Sequence, residues 1–265
     1  MGSTTLIVLK YGGNAMAREG SADPVLDEVA TLAASGVRVV LVHGGGPQID
    51  AELARKAIEE VRVGGLRVTG AETRDVVEYV LCGTVNKAIV RALLRRGARA
   101  VGISGEDGRL IGARRASAID GVDLGYVGEV VTIDPAPLAA LLDAGFIAVV
   151  APLGLDLESG GALNCNADTA AGALAGALRA DAYVVLTNVA GVRRELADPD
   201  SVIPRLTITE AENFIADGTF SDGMIPKMRA AIDAVRAGAQ RALIAGAGDG
   251  AIGAALEGVG TELIA

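Results

Sequence analysis

A turn of three glycines between an apolar segment and a helical pattern constrains the fold of this chain more than any other feature. Residues 39–42 are Val-Val-Leu-Val, which predicts a buried strand, and His43-Gly44-Gly45-Gly46-Pro47 follows directly. Proline is compatible with the first turn of a helix, and residues 48–57 carry a helical apolar stripe. A strand, a glycine turn and a helix N-terminus expose N–H groups to an anion such as phosphate. A tight turn without a ligand is the alternative, but three consecutive glycines favour a binding site.

The first strand of the chain ends in a second glycine turn. Residues 5–9 form a β-branched run that predicts a strand, and Lys10, Tyr11, Gly12 and Gly13 follow it. A lysine at this point can bring its ammonium group close to a bound phosphate, or it can be an ordinary surface residue. A helix and the strand before the first glycine turn complete a βαβ unit, so we expect an α/β fold. Ligands of open α/β sheets bind at the carboxyl ends of the strands.

Composition excludes several classes of function. The 265 residues can bury a large core, as one large domain or two lobes, and 51% of them are hydrophobic but only 3% aromatic. A formal net charge of −9 argues against nucleic acid or an anionic membrane as the main partner. Two cysteines without a CxxC spacing and a single histidine argue against a zinc cluster, so we predict no metal ligands in the protein. Without a leader or a long apolar run, we expect a reduced, cytoplasmic protein.

Periodicity along the rest of the chain predicts alternating strands and helices. A hairpin is expected over 60–69, and an apolar stripe over 71–96 predicts one long helix or two. The other expected helices cover 22–34, 138–144, 170–178, 210–216 (with Thr207 as its cap) and 225–237. The other expected strands cover 37–42, 98–104, 110–114, 127–133, 146–150, 183–186, 201–205, 241–245 and 261–264.

Five polar or charged side chains fall at positions where structure alone does not require them. Asn164, Asn166 and Asp168 are spaced i, i+2, i+4, and in an extended segment they share one face. An Asp or Thr cap on the following alanine-rich helix is the alternative, but three polar residues exceed what a cap requires. Lys227 lies in the first turn of a predicted helix, where a cation opposes the helix dipole. Arg67, in the predicted hairpin, suits bidentate capture of a carboxylate, or it is an ordinary solvated arginine.

Several familiar motifs are incomplete here. The GxGxxG pattern at 248–253 follows a predicted strand, but too few residues follow it in this sequence for a dinucleotide-binding unit. His43-Gly44-Gly45-Gly46 resembles an esterase oxyanion loop, yet GxSxG is absent and no second histidine exists. The GxxxxGK[ST], HRD and DFG motifs are also absent. Glycine loops with two lysines and no general-base histidine suit phosphoryl transfer to an acceptor that is already ionised, such as a carboxylate.

The whole chain resembles the amino-acid kinase family, in particular the members that phosphorylate the γ-carboxylate of N-acetyl-L-glutamate with ATP in the second step of arginine biosynthesis. Seven segments carry the resemblance in family order: 10–16, 43–47, 65–69, 85–87, 125–130, 164–170 and 221–227. The resemblance implies a three-layer αβα sandwich with a mostly parallel central sheet and two lobes. Residues 1–165 would bind the acyl amino acid and form a homodimer, and residues 166–265 would bind ATP, whose phosphates would carry Mg²⁺.

The same resemblance implies roles for individual residues. Lys10 and Lys227 would stabilise the transferring phosphoryl group, and Asp168 would orient both lysines. The acyl amino acid would be bound by Gly45, Gly46, Arg67, Asn164 and Asn166. ATP would be bound by Gly12, Gly13, Gly44, Thr187, Asn188, Gly191, Val192, Thr219, Phe220, Ser221, Gly223 and Met224.

Two alternatives stay open at this point. Related kinases of lysine biosynthesis act on a carrier-protein-bound aminoadipate and would be expected to carry a more basic, RSR-like segment near Arg67, where this chain has Gly-Gly-Leu-Arg. A nucleotide-binding regulator without catalysis would lack Lys10, Lys227 or Asp168, and all three are present. Because the first predicted strand begins near Thr5, without the extra N-terminal helix of hexameric members, we expect a homodimer that is insensitive to arginine.

Overall fold

The computed structural model of the chain describes residues 5–12, 22–195, 197–220 and 223–265. The strands of these residues are β1 Leu6–Tyr11, β2 Arg38–His43, β3 Arg62–Val63, β4 Leu66–Arg67, β5 Ala100–Ser104, β6 Ile111–Arg115, β7 Val127–Ile133, β8 Ile147–Ala151, β9 Leu153–Asp156, β10 Ala162–Cys165, β11 Ala182–Thr187, β12 Arg205–Thr207, β13 Ala242–Gly246 and β14 Thr261–Ile264. The helices are α1 Pro24–Ala34, α2 Gly46–Arg55, α3 Ala71–Glu78, α4 Asn86–Arg95, α5 Ala136–Asp143, α6 Ala167–Ala177, α7 Ile208–Ala216, α8 Ile225–Arg236 and α9 Ala251–Leu256.

One mostly parallel sheet organises the part of the chain that the structure describes. Its strand order is β12-β14-β13-β11-β1-β2-β8-β5, and within it only the β13–β14 pair is antiparallel. Strand β1 pairs with β2 on one side and with β11 on the other, so it lies near the centre of the sheet. The carboxyl ends of β1, β2 and β11 therefore meet at one edge, as the sequence predicted.

Helices cover both faces of this sheet, which confirms the three-layer αβα sandwich. Alternate residues of β1 face opposite sides: Val8 packs into a core with α5, α6, α7 and α8, whereas Ile7 and Leu9 pack into a core with α1, α2, α3, α4 and α9. Buried β-branched and leucine side chains on both faces explain why the strands are almost continuously apolar in sequence. None of the helices in the described ranges is long and apolar enough to cross a membrane.

Several features of the fold differ from the sequence-based predictions, among them helix α9 and strand β10, neither of which was predicted. The long helix over 71–96 is continuous but contains a π-helical turn, Tyr79–Val85, between α3 and α4. Strand β9 was not predicted; it closes a four-stranded barrel, β10-β7-β6-β9, beside the main sheet. The strand predicted over 201–205 is wrong, because Pro204 has no N–H for a ladder and the pairing of β12 with β14 begins at Arg205. The hairpin β3–β4 and the Thr207–Glu210 capping box of α7 are confirmed.

Candidate active site

A carboxylate between two lysines lies at the carboxyl edge of the sheet. Lys10 Nζ is 3.2 Å from Asp168 Oδ1, and Lys227 Nζ is 3.9 Å from Asp168 Oδ2. The Lys10 and Asp168 side chains are both 10% exposed and that of Lys227 is 22% exposed, so the two ammonium groups are shielded yet remain reachable from solvent. Strand β1, helix α6 and helix α8 each supply one of these groups. The structure thus brings together three residues that are 158 and 59 positions apart in the sequence.

The backbone of Asp168 is held from both sides. Asn166 is the N-cap of α6, and its Oδ1 accepts hydrogen bonds from Asp168 N at 2.9 Å and from Thr169 N at 3.1 Å. The buried Tyr183 hydroxyl donates to the carbonyl oxygen of Asp168 at 2.9 Å. These two contacts fix the first turn of α6 at the point where its carboxylate meets the lysines.

Close packing of α6 on α8 brings Lys227 to the same carboxylate. A Cβ atom on Gly172 would lie 2.6 Å from the carbonyl oxygen of Ala230, so only glycine lets the two helices approach this closely at that point. Lys227 is in the first turn of α8, where its charge is unfavourable for the helix dipole, and its Nζ donates to Gly223 O at 3.3 Å.

The predicted extended face of Asn164, Asn166 and Asp168 is wrong. Helix α6 already begins at Ala167, so Asp168 is helical, and Asn164 belongs to β10. The cap of the helix is Asn166, and neither Asp168 nor Thr169. The sequence could not separate these arrangements because an asparagine two residues before an acidic residue is compatible with a strand and with a helix N-terminus.

The glycine turn after β2 is packed tightly against its surroundings. The Gly44 N–H donates to Tyr11 O at 2.9 Å, which ties the ends of β1 and β2 together and engages the Gly44 donor. A Cβ atom on Gly12 would lie 3.0 Å from Gly44 N, and one on Gly45 would lie 2.7 Å from the buried side chain of Leu81. Close neighbours therefore restrict side chains at Gly12 and Gly45, whereas a Cβ atom on Gly44 would meet Gly12 Cα at 3.8 Å and one on Gly46 nothing within 4 Å. Helix α2 begins at Gly46, with Pro47 in its first turn as predicted.

One cavity collects all the residues predicted to bind the acyl amino acid. Its volume is about 160 Å³, and Gly45, Gly46, Arg67, Asn164 and Asn166 line it. Gly44, predicted from the family resemblance to contact ATP, lines the same cavity. Further lining side chains that the sequence analysis did not single out include Leu66, Leu81, Val127 and Cys165. The apolar stripe of the long helix and the neighbours of Arg67 and Asn164 in sequence were the available signals for them.

Arg67 is a buried cation that already contacts two carboxylates. Its side chain is 5% exposed; Nη2 bonds Asp50, and Nη1 lies 2.8 Å from Glu60 Oε1. Asn164 Nδ2 donates to Thr69 Oγ1 at 3.2 Å, and Thr69 Oγ1 in turn donates to the Arg67 carbonyl at 2.8 Å. This chain of contacts fixes Arg67 and Asn164 relative to each other on one wall of the cavity.

Five of the residues predicted to contact the nucleotide line a second, smaller cleft. They are Gly191, Val192, Thr219, Phe220 and Met224.

Thr187 and Asn188 lie beyond that cleft at the end of β11, where the Thr187 hydroxyl donates to Asn188 Oδ1 at 3.2 Å. Gly12 lies against the glycine turn and Gly223 accepts from Lys227. Gly13 and Ser221 lie outside the described residues. The side chain of Val192 is fully buried in the core below the cleft, which gives it a packing role as well.

Backbone N–H groups of the GxGxxG segment at 248–253 already form hydrogen bonds within the protein. The carboxylate of Glu28 accepts hydrogen bonds from Ile252 N at 2.9 Å and Gly253 N at 2.6 Å. These are the N–H groups at the beginning of α9 that a pyrophosphate would need. The structure therefore supports the rejection of a dinucleotide site here.

The chain is similar over most of its length to proteins of one family. The model of the amino acid kinase family matches residues 5–246. A protein of Acidiphilium cryptum named acetylglutamate kinase is 49% identical in an alignment that covers 90% of this chain and 81% of that protein. One of the same name from Acidothermus cellulolyticus is 46% identical in an alignment that covers 97% of this chain and 90% of that protein. A solved structure from Streptococcus mutans matches with a TM-score of 0.81 and 29% identity, covering 98% of both chains. The chain belongs to the amino acid kinase family.

Proposed function

We propose that this chain transfers the γ-phosphoryl group of ATP to the γ-carboxylate of N-acetyl-L-glutamate, the second step of arginine biosynthesis. The products are N-acetylglutamyl 5-phosphate and ADP. Relatives named acetylglutamate kinase, 46% and 49% identical over most of the chain, support this substrate. The observation that carries the proposal is the geometry of the site: an ion triad of Lys10, Asp168 and Lys227 close to a cavity that ends at Arg67.

The cavity suits an acceptor with two carboxylates. Arg67 can exchange its contacts with Asp50 and Glu60 for the α-carboxylate of the acyl amino acid, which its planar guanidinium binds in a bidentate manner. The glycine turn also lines the cavity, and the γ-carboxylate would lie there among backbone N–H groups. The apolar side chains of Leu66 and Val127 are further lining groups and suit an acetyl group.

The chemistry needs no general base, because the acceptor carboxylate is ionised at neutral pH. One of its oxygens forms a bond with the γ-phosphorus while the bond from that phosphorus to the β,γ-bridging oxygen breaks, and ADP leaves with the electron pair. Lys10 and Lys227 would offset the negative charge on the transferring group, and Asp168 would keep the two ammonium groups apart and oriented. The remaining contribution is positioning of the two substrates.

The residues present also fit a nucleotide and its Mg²⁺. The backbone of Gly12, Gly44 and Gly45 and the two lysines would form a cradle for phosphates. Mg²⁺, bound to the phosphates of ATP, would supply further charge neutralisation. The loop beginning at Gly191 and the segment that contains Thr219 would hold the nucleoside part.

We also propose two lobes, a homodimer and a cytoplasmic location. Residues 1–165 would form the lobe for the acyl amino acid and for dimerisation, and residues 166–265 the lobe for ATP. The cavity at the glycine turn belongs mainly to the first range and the cleft at Gly191 to the second, which supports this division. Analytical ultracentrifugation tests the dimer: a species of twice the 26.7 kDa chain mass is expected, and a hexamer would contradict it.

Product trapping tests the reaction itself. ATP consumption is measured with N-acetyl-L-glutamate, N-acetyl-aminoadipate, aspartate and unacetylated glutamate, and hydroxylamine converts any acyl phosphate into a hydroxamate. We expect hydroxamate with N-acetyl-L-glutamate alone. Turnover of N-acetyl-aminoadipate in its place would favour the aminoadipate kinases, and turnover of none of the four would refute the proposal.

Variants of the lysines separate catalysis from folding. Lys10→Ala and Lys227→Ala are each expected to lower kcat by about 100-fold or more, because each removes a cation from the transferring group. Arg229→Ala is the matched control: Arg229 is an exposed cation on the same helix as Lys227 and should leave kcat unchanged.

A further inference from the structure

A buried histidine and a buried asparagine lie directly behind the glycine turn. His43 is the last residue of β2 and is 0% exposed; Asn86 is the first residue of α4 and is 1% exposed. His43 Nδ1 lies 2.9 Å from the carbonyl oxygen of Gly44, and His43 Nε2 lies 3.2 Å from Asn86 Nδ2. The reaction outlined above assigns neither side chain a role.

The surroundings of Asn86 fix the protonation state of the imidazole. Asn86 Nδ2 faces strand carbonyls, the nearest being Val149 O at 2.9 Å, and its Oδ1 accepts from Lys87 Nζ at 3.1 Å. The amide nitrogen is therefore the group that faces His43, and its two hydrogens are shared among His43 Nε2, Val149 O and Ile103 O. Because the Gly44 carbonyl oxygen can only accept, the proton of the neutral ring is on Nδ1 and is donated to Gly44 O. Burial lowers the pKa of His43 to about 4, which agrees with a neutral ring at pH 7.

Room for this asparagine is made by a glycine on the edge strand. A Cβ atom on Gly102, in β5, would lie 2.9 Å from Asn86 Cγ, so any other residue there would displace the amide. The π-helical turn that precedes Asn86 places Leu81 against Gly45 on the other side of the glycine turn. The glycine turn is thus supported at two places, by Asn86 through His43 and by Leu81 at Gly45.

These contacts hold the two peptide groups that flank Gly44, whose N–H belongs to the His43–Gly44 peptide and whose carbonyl belongs to the Gly44–Gly45 peptide. The Gly44 N–H is engaged by Tyr11 O and the Gly44 carbonyl by His43 Nδ1–H. The described residues contain no cis peptide bond, and in a trans peptide the C=O and the following N–H point in opposite directions. The Gly45 N–H therefore points away from the buried ring, and Gly45 is one of the residues that line the acceptor cavity.

We propose that His43 and Asn86 are positioning residues that hold the Gly44–Gly45 peptide so that the Gly45 N–H faces the oxygen that gains charge during phosphoryl transfer. The inference rests on the proposed function for the identity of that oxygen, but the tautomer and the peptide orientation do not depend on it. A donor that is held in place before the reaction stabilises the transition state more than the bound substrates. Loss of the hydrogen bond between His43 and Gly44 therefore lowers kcat and leaves both KM values nearly unchanged.

The first test is NMR of the unmodified protein. His43 is the only histidine of the chain, so both ring-nitrogen resonances of ¹⁵N-histidine-labelled protein belong to it, and their couplings to the carbon-bound ring protons distinguish Nδ1 from Nε2. At pH 7 we expect a neutral ring whose proton is on Nδ1. A proton on Nε2, or a ring that is charged at pH 7, would overturn the proposal whatever the protein phosphorylates.

The second test is a pair of variants that each keep one half of the imidazole. His43→Gln keeps a group near the Nε2 position and loses the donor to Gly44, whereas His43→Asn keeps a donor near the Nδ1 position. With ATP and N-acetyl-L-glutamate, we expect His43→Gln to lower kcat by about 10- to 100-fold with both KM values within about threefold. His43→Asn should recover kcat to within about threefold of the parent protein.

The outcomes separate this inference from the proposed function. Parent protein that makes the acyl phosphate, with an undiminished kcat in His43→Gln or with equal losses in both variants, would refute the positioning role alone. Parent protein that phosphorylates none of the acceptors would refute the proposed function, and the NMR experiment would still decide the tautomer. Thermal unfolding of each variant confirms that it is folded. If His43→Gln is not folded, the positioning role is tested by the tautomer from NMR and by the kcat of His43→Asn.

Discussion

The buried imidazole makes the free energy of unfolding depend on pH in a specific interval. Burial is the main cause that lowers the pKa of His43 from 6.5 to about 4; the hydrogen bond to Gly44 opposes this shift, and the nearby Lys87 ammonium adds to it. Lys87, from α4, is the charged group identified beside the ring. The folded protein therefore binds no proton at His43 under conditions in which the unfolded chain does.

The sign and size of the effect follow from proton linkage. Between pH 6.5 and pH 4 the unfolded chain carries a proton on His43 and the folded protein does not, so the free energy of unfolding decreases as the pH falls. The difference between these two pKa values corresponds to about 3 kcal/mol over the whole interval, of which about 2 kcal/mol is lost at pH 5. Above pH 6.5 the contribution is constant.

Urea unfolding at pH 7 and at pH 5 measures this loss. His43→Asn is the reference, because it removes the titrating group and keeps a donor for Gly44, while every carboxylate of the protein titrates equally in both proteins. We expect the parent protein to lose about 2 kcal/mol more than His43→Asn between the two pH values. Equal losses in the two proteins would show that His43 titrates normally in the folded state and would refute a buried, neutral imidazole.

Three further predictions concern the ion triad and the cavity. Gly172→Ala forces α8 away from α6 because the new Cβ meets Ala230 O. The free energy of unfolding measured in urea should therefore fall by about 1–3 kcal/mol, and kcat should fall with it. Gly83→Ala, at an exposed helical glycine with open space around it, is the control and should change neither quantity. Arg67→Lys removes bidentate recognition and should raise the KM for N-acetyl-L-glutamate about 10-fold with the KM for ATP unchanged; a rise in both would contradict this role. Asn166→Ala removes the cap of α6 and should cost about 1 kcal/mol in urea unfolding, and no loss would show that the cap is dispensable.

The central sheet and the ion triad could be predicted because local patterns and their positions agreed. The strands after Thr5 and before His43 have unbroken β-branched runs, and a lysine or glycine at the end of each one is recognisable without any tertiary information. The sequence also marked Lys227 through its unfavourable place in a helix. That the acidic partner of both lysines is Asp168 came from the family resemblance, since 158 residues separate Lys10 from it.

The remaining features depend on tertiary contacts that local patterns do not record. The π-helical turn Tyr79–Val85 continues the apolar stripe of the helices around it, so nothing in the spacing distinguishes it. Strand β9 is four residues long and gains its partners only in the closed barrel. No separate role was predicted for His43, because the role proposed for it depends on Asn86, 43 residues away and in another element.

Helix dipoles explain why the active site is proposed at the carboxyl edge of the sheet, beside the two lysines, and not at a larger arginine-lined cavity. A larger cavity, of about 580 Å³, lies at the opposite end of the sheet and is lined by Arg38, Arg96 and Arg99. The carboxyl ends of α1, α4 and α5 meet there, and they present carbonyl groups that attract cations. The guanidinium groups at this end already have partners: Arg38 pairs with Asp143 at 3.0 Å, and Arg99 lies over the ring of Phe146.

At the carboxyl edge of the sheet the dipoles have the opposite sense. Helices α2, α6 and α8 all begin beside the triad, so Lys10 and Lys227 stand among positive helix ends, and Asp168 is the carboxylate that both share. Two cations and one anion leave a net positive charge there, in a chain whose formal net charge is −9. A phosphate that binds at this edge neutralises lysine charges that oppose the positive helix ends. At the opposite end of the sheet it would have to displace the groups that already contact the arginines. The acidic protein can therefore bind anionic substrates at the triad without a basic surface elsewhere.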